Sequence, residues 1–277
     1  MRRLSTKRIV TFLIIAALML QISFIGYSMV DNIMTNSKQS IKDEASTEIS
    51  KDILNLIKTS DTKNYTKNID NYKALLKQLN VHIVFKNEIE RLVKDGYSLP
   101  DILVAYCFLD DNYGLMGELE KLVKEKKSGK SWTAIFTTYK KNNPDFKPRN
   151  FDEKQLESLQ QAVKNNNDDI MIADRVSQKT KVTIEEIINS RASGDSWRLI
   201  NAELGVLNGQ ESIAHVKITN TQLTKYSKQS KLPEEDVVQA FVLANKLGLT
   251  VDSVINSIKQ GLSQETISAN AYEQKYY

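Results

Sequence analysis

The stretch Lys127-Ser-Gly-Lys-Ser-Trp132 returns further along the chain as Ser193-Gly-Asp-Ser-Trp197. Looser forms stand at Asp95-Gly-Tyr-Ser-Leu99 and Gln260-Gly-Leu-Ser-Gln264. All four share Gly-x-Ser: Gly96/Ser98, Gly129/Ser131, Gly194/Ser196 and Gly261/Ser263. Each Ser is followed four residues later by isoleucine, at Ile102, Ile135, Ile200 and Ile267. Each Gly is preceded seven residues earlier by an aliphatic residue, at Ile89, Leu122, Ile187 and Val254. Glycine closes a helix in the left-handed conformation without a Cβ clash. Serine two residues later caps the next helix by accepting from its free amides. The isoleucine then occupies the fourth helical position, where it meets the residue before the cap in a hydrophobic staple. That residue is apolar in two copies, Tyr97 and Leu262, and polar in the other two, Lys130 and Asp195. The two polar copies carry Trp132 and Trp197 directly after the serine, so the indole supplies the apolar corner there. The motif therefore predicts a helix–turn–helix joint, and an all-α fold built from such joints.

Gly129-Lys130-Ser131 also ends like a phosphate-binding loop. Such a loop needs glycine five positions before its last glycine, and a strand in front. Position 124 is lysine, and the preceding Glu118–Lys127 reads as helix, so the nucleotide reading fails.

A longer unit surrounds the joints. The segments starting at Thr183 (TIEEIINSRASGDSWRLI) and Thr250 (TVDSVINSIKQGLSQETI) align without a gap. Upstream, DILVAYCFLDDNYGL at 101–115 parallels DVVQAFVLANKLGL at 236–249, and DIMIADRVSQKTKV at 169–182 holds the same place. The unit is an apolar helix, a loop, a ten-residue helix, the corner and another helix. One such unit buries little alone, so neighbours must share a core. The expected body is an array of related helical hairpins in two subdomains, 83–141 and 152–277. Between them lies a linker at 142–151, where Pro144 and Pro148 stand among asparagines.

The N-terminus predicts a membrane segment. Arg2, Arg3, Lys7 and Arg8 precede an uncharged run from Ile9 to Val30. A helix of that length crosses the roughly 30 Å hydrocarbon core of a bilayer. The basic cluster stays cytoplasmic and sends the rest outward. Residues 1–30 are thus expected to be a single-pass signal anchor, contacting the membrane through 9–30. A signal peptide cleaved near Ser28 is the rival reading. Residues 31–82 form a juxtamembrane helical segment, in which Ile41, Ala45, Ile49 and Ile53 draw one apolar stripe.

The net charge is +4, but taking the four N-terminal cations from 38 leaves 34 basic against 34 acidic residues. The body carries no basic excess that would mark a nucleic-acid partner. Ile187–Val206 has the first two-thirds of a DNA-reading helix–turn–helix, yet the following LNGQESIAHV offers no Arg or Lys. Gly114-Leu-Met-Gly117 resembles the Gly-Leu-Met-Gln stretch of lysozyme-like lytic transglycosylases. That resemblance would imply a helical wall hydrolase with an acid Glu before a Ser about twenty residues upstream; RLVKDGYSLPD has no Glu-Ser. His82 and His215 stand apart as ordinary surface or boundary residues, and Cys107 is a small buried hydrophobe that excludes an intrachain disulfide. Glu185-Glu186 fits charge at a helix N-terminus, and the Lys124–Lys130 run fits a helix C-terminus.

No catalytic, cofactor or metal residue is expected. The reading is a non-enzymatic, membrane-anchored, extracytoplasmic helical-repeat protein, an interaction or scaffold module of the bacterial cell envelope. Its partner would be an unidentified protein or wall component. The alternatives are a wall-polymer binder or wall-active hydrolase, marked by a concave pocket with acids and tryptophan, and a helix–turn–helix DNA binder.

Overall fold

Glycine corners and serine caps set the helix boundaries in the computed structural model, which describes residues 46–277. The expected membrane segment at 9–30, and with it Ile41 and Ala45, lies outside the described residues. Fourteen α-helices and no strands are present among the described residues. None of these helices is long and apolar enough to cross a membrane.

Three helices come first: α1 (Lys51–Ser60), α2 (Tyr65–Gln78) and α3 (Ile83–Lys94). The chain then runs three times through the same succession of two helices, a glycine corner and a third helix. The first pass is α4 (Leu99–Asp111), α5 (Met116–Lys127) and α6 (Trp132–Asn142). After α7 (Glu153–Ala162) comes the second, α8 (Asn167–Thr180), α9 (Ile184–Ala192) and α10 (Trp197–Glu203). After α11 (Asn220–Ser230) comes the third, α12 (Glu234–Leu247), α13 (Val251–Lys259) and α14 (Gln264–Tyr276).

Helix α4 is the centre of the largest apolar cluster. Eleven of its thirteen residues are buried, so it is covered on every side rather than on one stripe. Helices α2, α3, α5 and α14 pack on it. Ile53 and Ile57 of α1, with Ile49 before it, bury into the same cluster. A second cluster gathers Leu159 of α7 with Ile170, Val176, Ile184, Ile187, Trp197 and Ile200. The third joins Ala240, Leu243, Val254, Ile255 and Ile267.

Helix α14 belongs to two of these clusters. Ile267 packs in the third, while Ala269, Tyr272 and Tyr276 enter the first. Residues that the sequence groups with 152–277 thus complete a core built mainly from 49–139. The segment 143–152 holds no helix, and it is clamped rather than loose. The Arg149 amide and guanidinium donate to the fully buried Asp174 carboxylate, at 2.9 and 2.5 Å, and the guanidinium also reaches Ser177 at 3.1 Å.

A short extended contact ties the α4–α5 loop to the segment after α10. Leu207 N donates to Gly114 O at 2.8 Å, and Met116 N donates to Gly205 O at 2.7 Å, pairing Leu115 with Val206. Asn208 then donates to Asp110 O at 3.2 Å. Gly209 follows because a Cβ there would lie 2.5 Å from Asn80 O in the α2–α3 turn. The stretch 207–218, where a DNA-reading module would place its recognition helix, carries no helix. His82 is buried, not superficial: it is the N-cap of α3, with Nδ1 accepting from Val84 N at 3.3 Å.

Candidate functional site

The four corners share one geometry. Gly96, Gly129, Gly194 and Gly261 have φ of 76°, 95°, 105° and 79°, the left-handed region that glycine enters without strain. Each glycine amide donates three residues back, as Gly129 to Lys126 O at 2.9 Å, and the next residue donates five back, as Lys130 to Glu125 O at 3.3 Å. This is the double-bonded stop that satisfies two orphan carbonyls at a helix end. Ser131, Ser196 and Ser263 accept from Ala134, Leu199 and Thr266 amides at 3.2, 3.1 and 3.2 Å. Ser98 is also the N-cap residue but makes no side-chain cap bond, and Pro100 stands in the first turn after it. Ile102, Ile135, Ile200 and Ile267 are all buried, as are Ile89, Leu122, Ile187 and Val254 behind them. A direct check follows. Ser131→Ala and Ser263→Ala are expected to cost about 1 kcal/mol each, and Ser98→Ala clearly less, read as shifts in the urea midpoint at constant slope.

The corners do not meet in one place, and neither indole opens to a cleft. Trp132 and Trp197 are both fully buried. Trp132 Nε1 donates to Tyr277 Oη at 3.2 Å, and Trp197 Nε1 donates to Asp169 Oδ1 at 2.6 Å. Cys107 is buried with its Sγ 3.0 Å from Tyr276 Oη, and burial pushes its thiol up to about 12. His215 is exposed and pairs with Asp168 at 3.0 Å.

The concave surface lies elsewhere. A cleft of about 1150 Å³ runs between α8, α12, the 142–147 segment and the 208–216 segment, with the C-terminal end of α4 at its floor. One wall is basic. Arg175 and Lys179, one turn apart on α8, take part in no ion pair among the described residues. The Arg175 guanidinium sits between Tyr113 and Phe146, 4.7 and 4.8 Å from their ring centroids, which fixes its orientation. Lys179 is half-buried; burial lowers its pKa, with Lys140 and Arg175 adding repulsion against the attraction of Glu118. Lys140 beside them pairs with Asp145 and donates to Asn112 Oδ1 at 2.9 Å. Further lining comes from α12. Val238 and Val242, also one turn apart, are 39% and 48% exposed, more than an ordinary core-facing aliphatic would be. Amide side chains also line it, including Asn143, Gln178, Asn208, Gln239 and Gln264.

Two carboxyls occupy the floor. Asp111 accepts from Tyr272 Oη and lies 3.6 Å from Lys246 Nζ; burial raises its pKa against those two partners. Asp110 is 4% exposed, and its Oδ1 is buried without a hydrogen-bond partner among the described residues. Burial first, and then the Asp111 charge, push its pKa well above the usual carboxylate range, against a smaller pull from Lys246.

No family model, curated protein or solved structure matches the chain. The cleft's own chemistry therefore carries the functional reading. Two carboxylates working on a glycosidic bond must stand on opposite sides of it, roughly 5–10 Å apart, with one free to act as nucleophile or base. Here Asp110 and Asp111 are neighbours on one helix end, Asp111 is held by Lys246 and Tyr272, and Asp145 is held by Lys140. Among the described residues no group of three or more His, Cys, Asp or Glu side chains is placed to hold a metal ion. The cleft brings together cations without ion pairs, exposed valines and amide side chains.

The sequence reading missed this site. One signal for it exists. Asp110 ends an otherwise apolar run, AYCFLDD, at a helix C-terminus, where the macrodipole disfavours an acid.

Proposed function

We propose that this chain is a non-enzymatic helical interaction module, presented on the outer face of the membrane by the 9–30 segment, and that the cleft is its binding surface. Its three successive helical passes are read as related repeats, since each pairs a long helix with a Gly-x-Ser corner and two of the segments align without a gap. Repeats of this kind stack into extended surfaces suited to partner chains. The single observation that carries the reading is the open lining itself: Arg175 and Lys179, without ion-pair partners among the described residues, in the same cleft as solvent-exposed Val238 and Val242. A monomer that needed nothing there would cover the valines and pair the cations.

The wall-hydrolase alternative is poorly served, because both tryptophans are internal and the floor offers one unengaged carboxyl rather than two. Two readouts test the proposal in cells. A phosphatase fused after Tyr277 is expected to be active, because that enzyme matures only outside the cytoplasm; inactivity with a folded fusion overturns the topology. A photo-cross-linking side chain at Val242 is expected to yield a discrete protein adduct that disappears with Arg175→Glu. Adducts only to wall glycan would overturn the protein-interaction reading.

A further inference from the structure

The cleft lining is specific enough to name the chemistry of its occupant, on the footing that the cleft is the binding surface. We propose that it takes an extended acidic peptide segment, whose carboxylates meet Arg175 and Lys179 and whose apolar side chains lie on Val238 and Val242.

Three features select this occupant. The cations are desolvated and orientated before any ligand arrives. Arg175 is stacked between two aromatic rings and Lys179 is half-buried, so an incoming carboxylate meets a fixed partner rather than a mobile one. Val238 and Val242 recur at one-turn spacing and supply an apolar strip beside the charges. The amides along the lining carry both donors and acceptors, which suits a peptide backbone. A glycan is a poorer fit, since sugars stack on open aromatic faces. Tyr113 and Phe146 are covered by Arg175, and both indoles are internal.

Asp110 lies beneath this surface and takes no part in the contact: it is 4% exposed and its Oδ1 is buried.

The test uses the full chain in detergent micelles and a short fluorescein-labelled peptide that alternates Glu with Val, read by anisotropy, with a Lys-Val peptide of the same length as control. The expected result is saturable binding that weakens with salt. Arg175→Glu and Lys179→Glu each weaken it by about tenfold or more, while Lys67→Glu, on an exposed part of α2 outside the cleft, leaves it unchanged. Asp110→Asn, a change beneath the cleft, is expected to leave binding unchanged and to alter stability with a definite sign. A carboxyl whose folded pKa is raised loses stability as pH climbs from its ordinary value of 3.8 through the folded one. Asp110→Asn therefore melts above wild type at neutral pH and equally below about pH 4. Equal binding of the control peptide that alternates Lys with Val, indifference to Arg175→Glu, or uptake of polyglycerol phosphate in place of the peptide overturns the proposal. None of these results bears on the phosphatase fusion, so membrane topology stands or falls separately.

Discussion

Trp197→Ala should lower the unfolding free energy by about 3–5 kcal/mol, the upper range for a single substitution. The indole is fully buried in the second cluster. Its removal leaves a large cavity in the cluster that holds Ile170, Ile187 and Ile200. It also deprives Asp169 of a donor at 2.6 Å, leaving that buried carboxylate with Arg191 at 3.2 Å. Arg191 in turn lies over the indole ring at 5.5 Å and loses that face. Trp197→Phe separates the two contributions, because it restores most of the volume and none of the hydrogen bond. It is expected to recover more than half of the loss. The chain has two tryptophans, so in Trp197→Ala the emission of Trp132 reports the first cluster alone. Urea unfolding followed by that emission and by circular dichroism gives both the loss and its reach. A cost under about 1 kcal/mol would mean that the corner tolerates an empty staple, and the packing role given to the indole would be wrong.

The corners were legible because they are local. A glycine at φ of 95° or 105° and a serine accepting from the amide three residues on involve residues within one turn of each other, and spacing alone reports them. All-α content was legible for the same reason, since few glycines and prolines interrupt long runs of helix formers. The cleft was not, because Asp110, Arg175 and Val242 are far apart in the chain and no periodicity connects them. Nor was the path of α14. Its Ile267 faces one cluster, while Ala269, Tyr272 and Tyr276 face another. A helix with apolar residues on two faces shows no single stripe, so the pattern that marks an amphipathic helix is missing. His82 illustrates a third limit. A histidine at a helix N-cap can be buried because its ring nitrogen satisfies a backbone donor, and residue type alone does not show that.

Ending the chain after Gly261 should unfold the first cluster, although the nearest residue of that cluster in sequence, before α14, is Leu207. The removed segment carries α14, which packs along both α4 and α6. Tyr272 donates to the Asp111 carboxylate and stacks edge-on with Phe136 at 6.3 Å, and Tyr276 meets Cys107 at 3.0 Å. Beyond α14, Tyr277 accepts from the Trp132 indole at 3.2 Å and donates to Asp101. Losing a buried aromatic costs about 3–5 kcal/mol, and two such losses approach the whole stability of an ordinary domain, about 5–15 kcal/mol. The truncated chain is therefore expected to show no cooperative unfolding transition by the Trp132 signal, rather than a modest shift of midpoint. Tyr272→Phe and Tyr276→Phe, which keep the rings and remove the hydroxyls, should each cost only about 1 kcal/mol; that difference distinguishes loss of packing from loss of hydrogen bonds. The opposite outcome is equally clear. If the chain ending at Gly261 kept a cooperative transition for residues 49–139 at nearly the full-length midpoint, those helices would be an autonomous domain. The seat of α14 upon them would then be incidental, as two separate subdomains joined by the 142–151 segment would require.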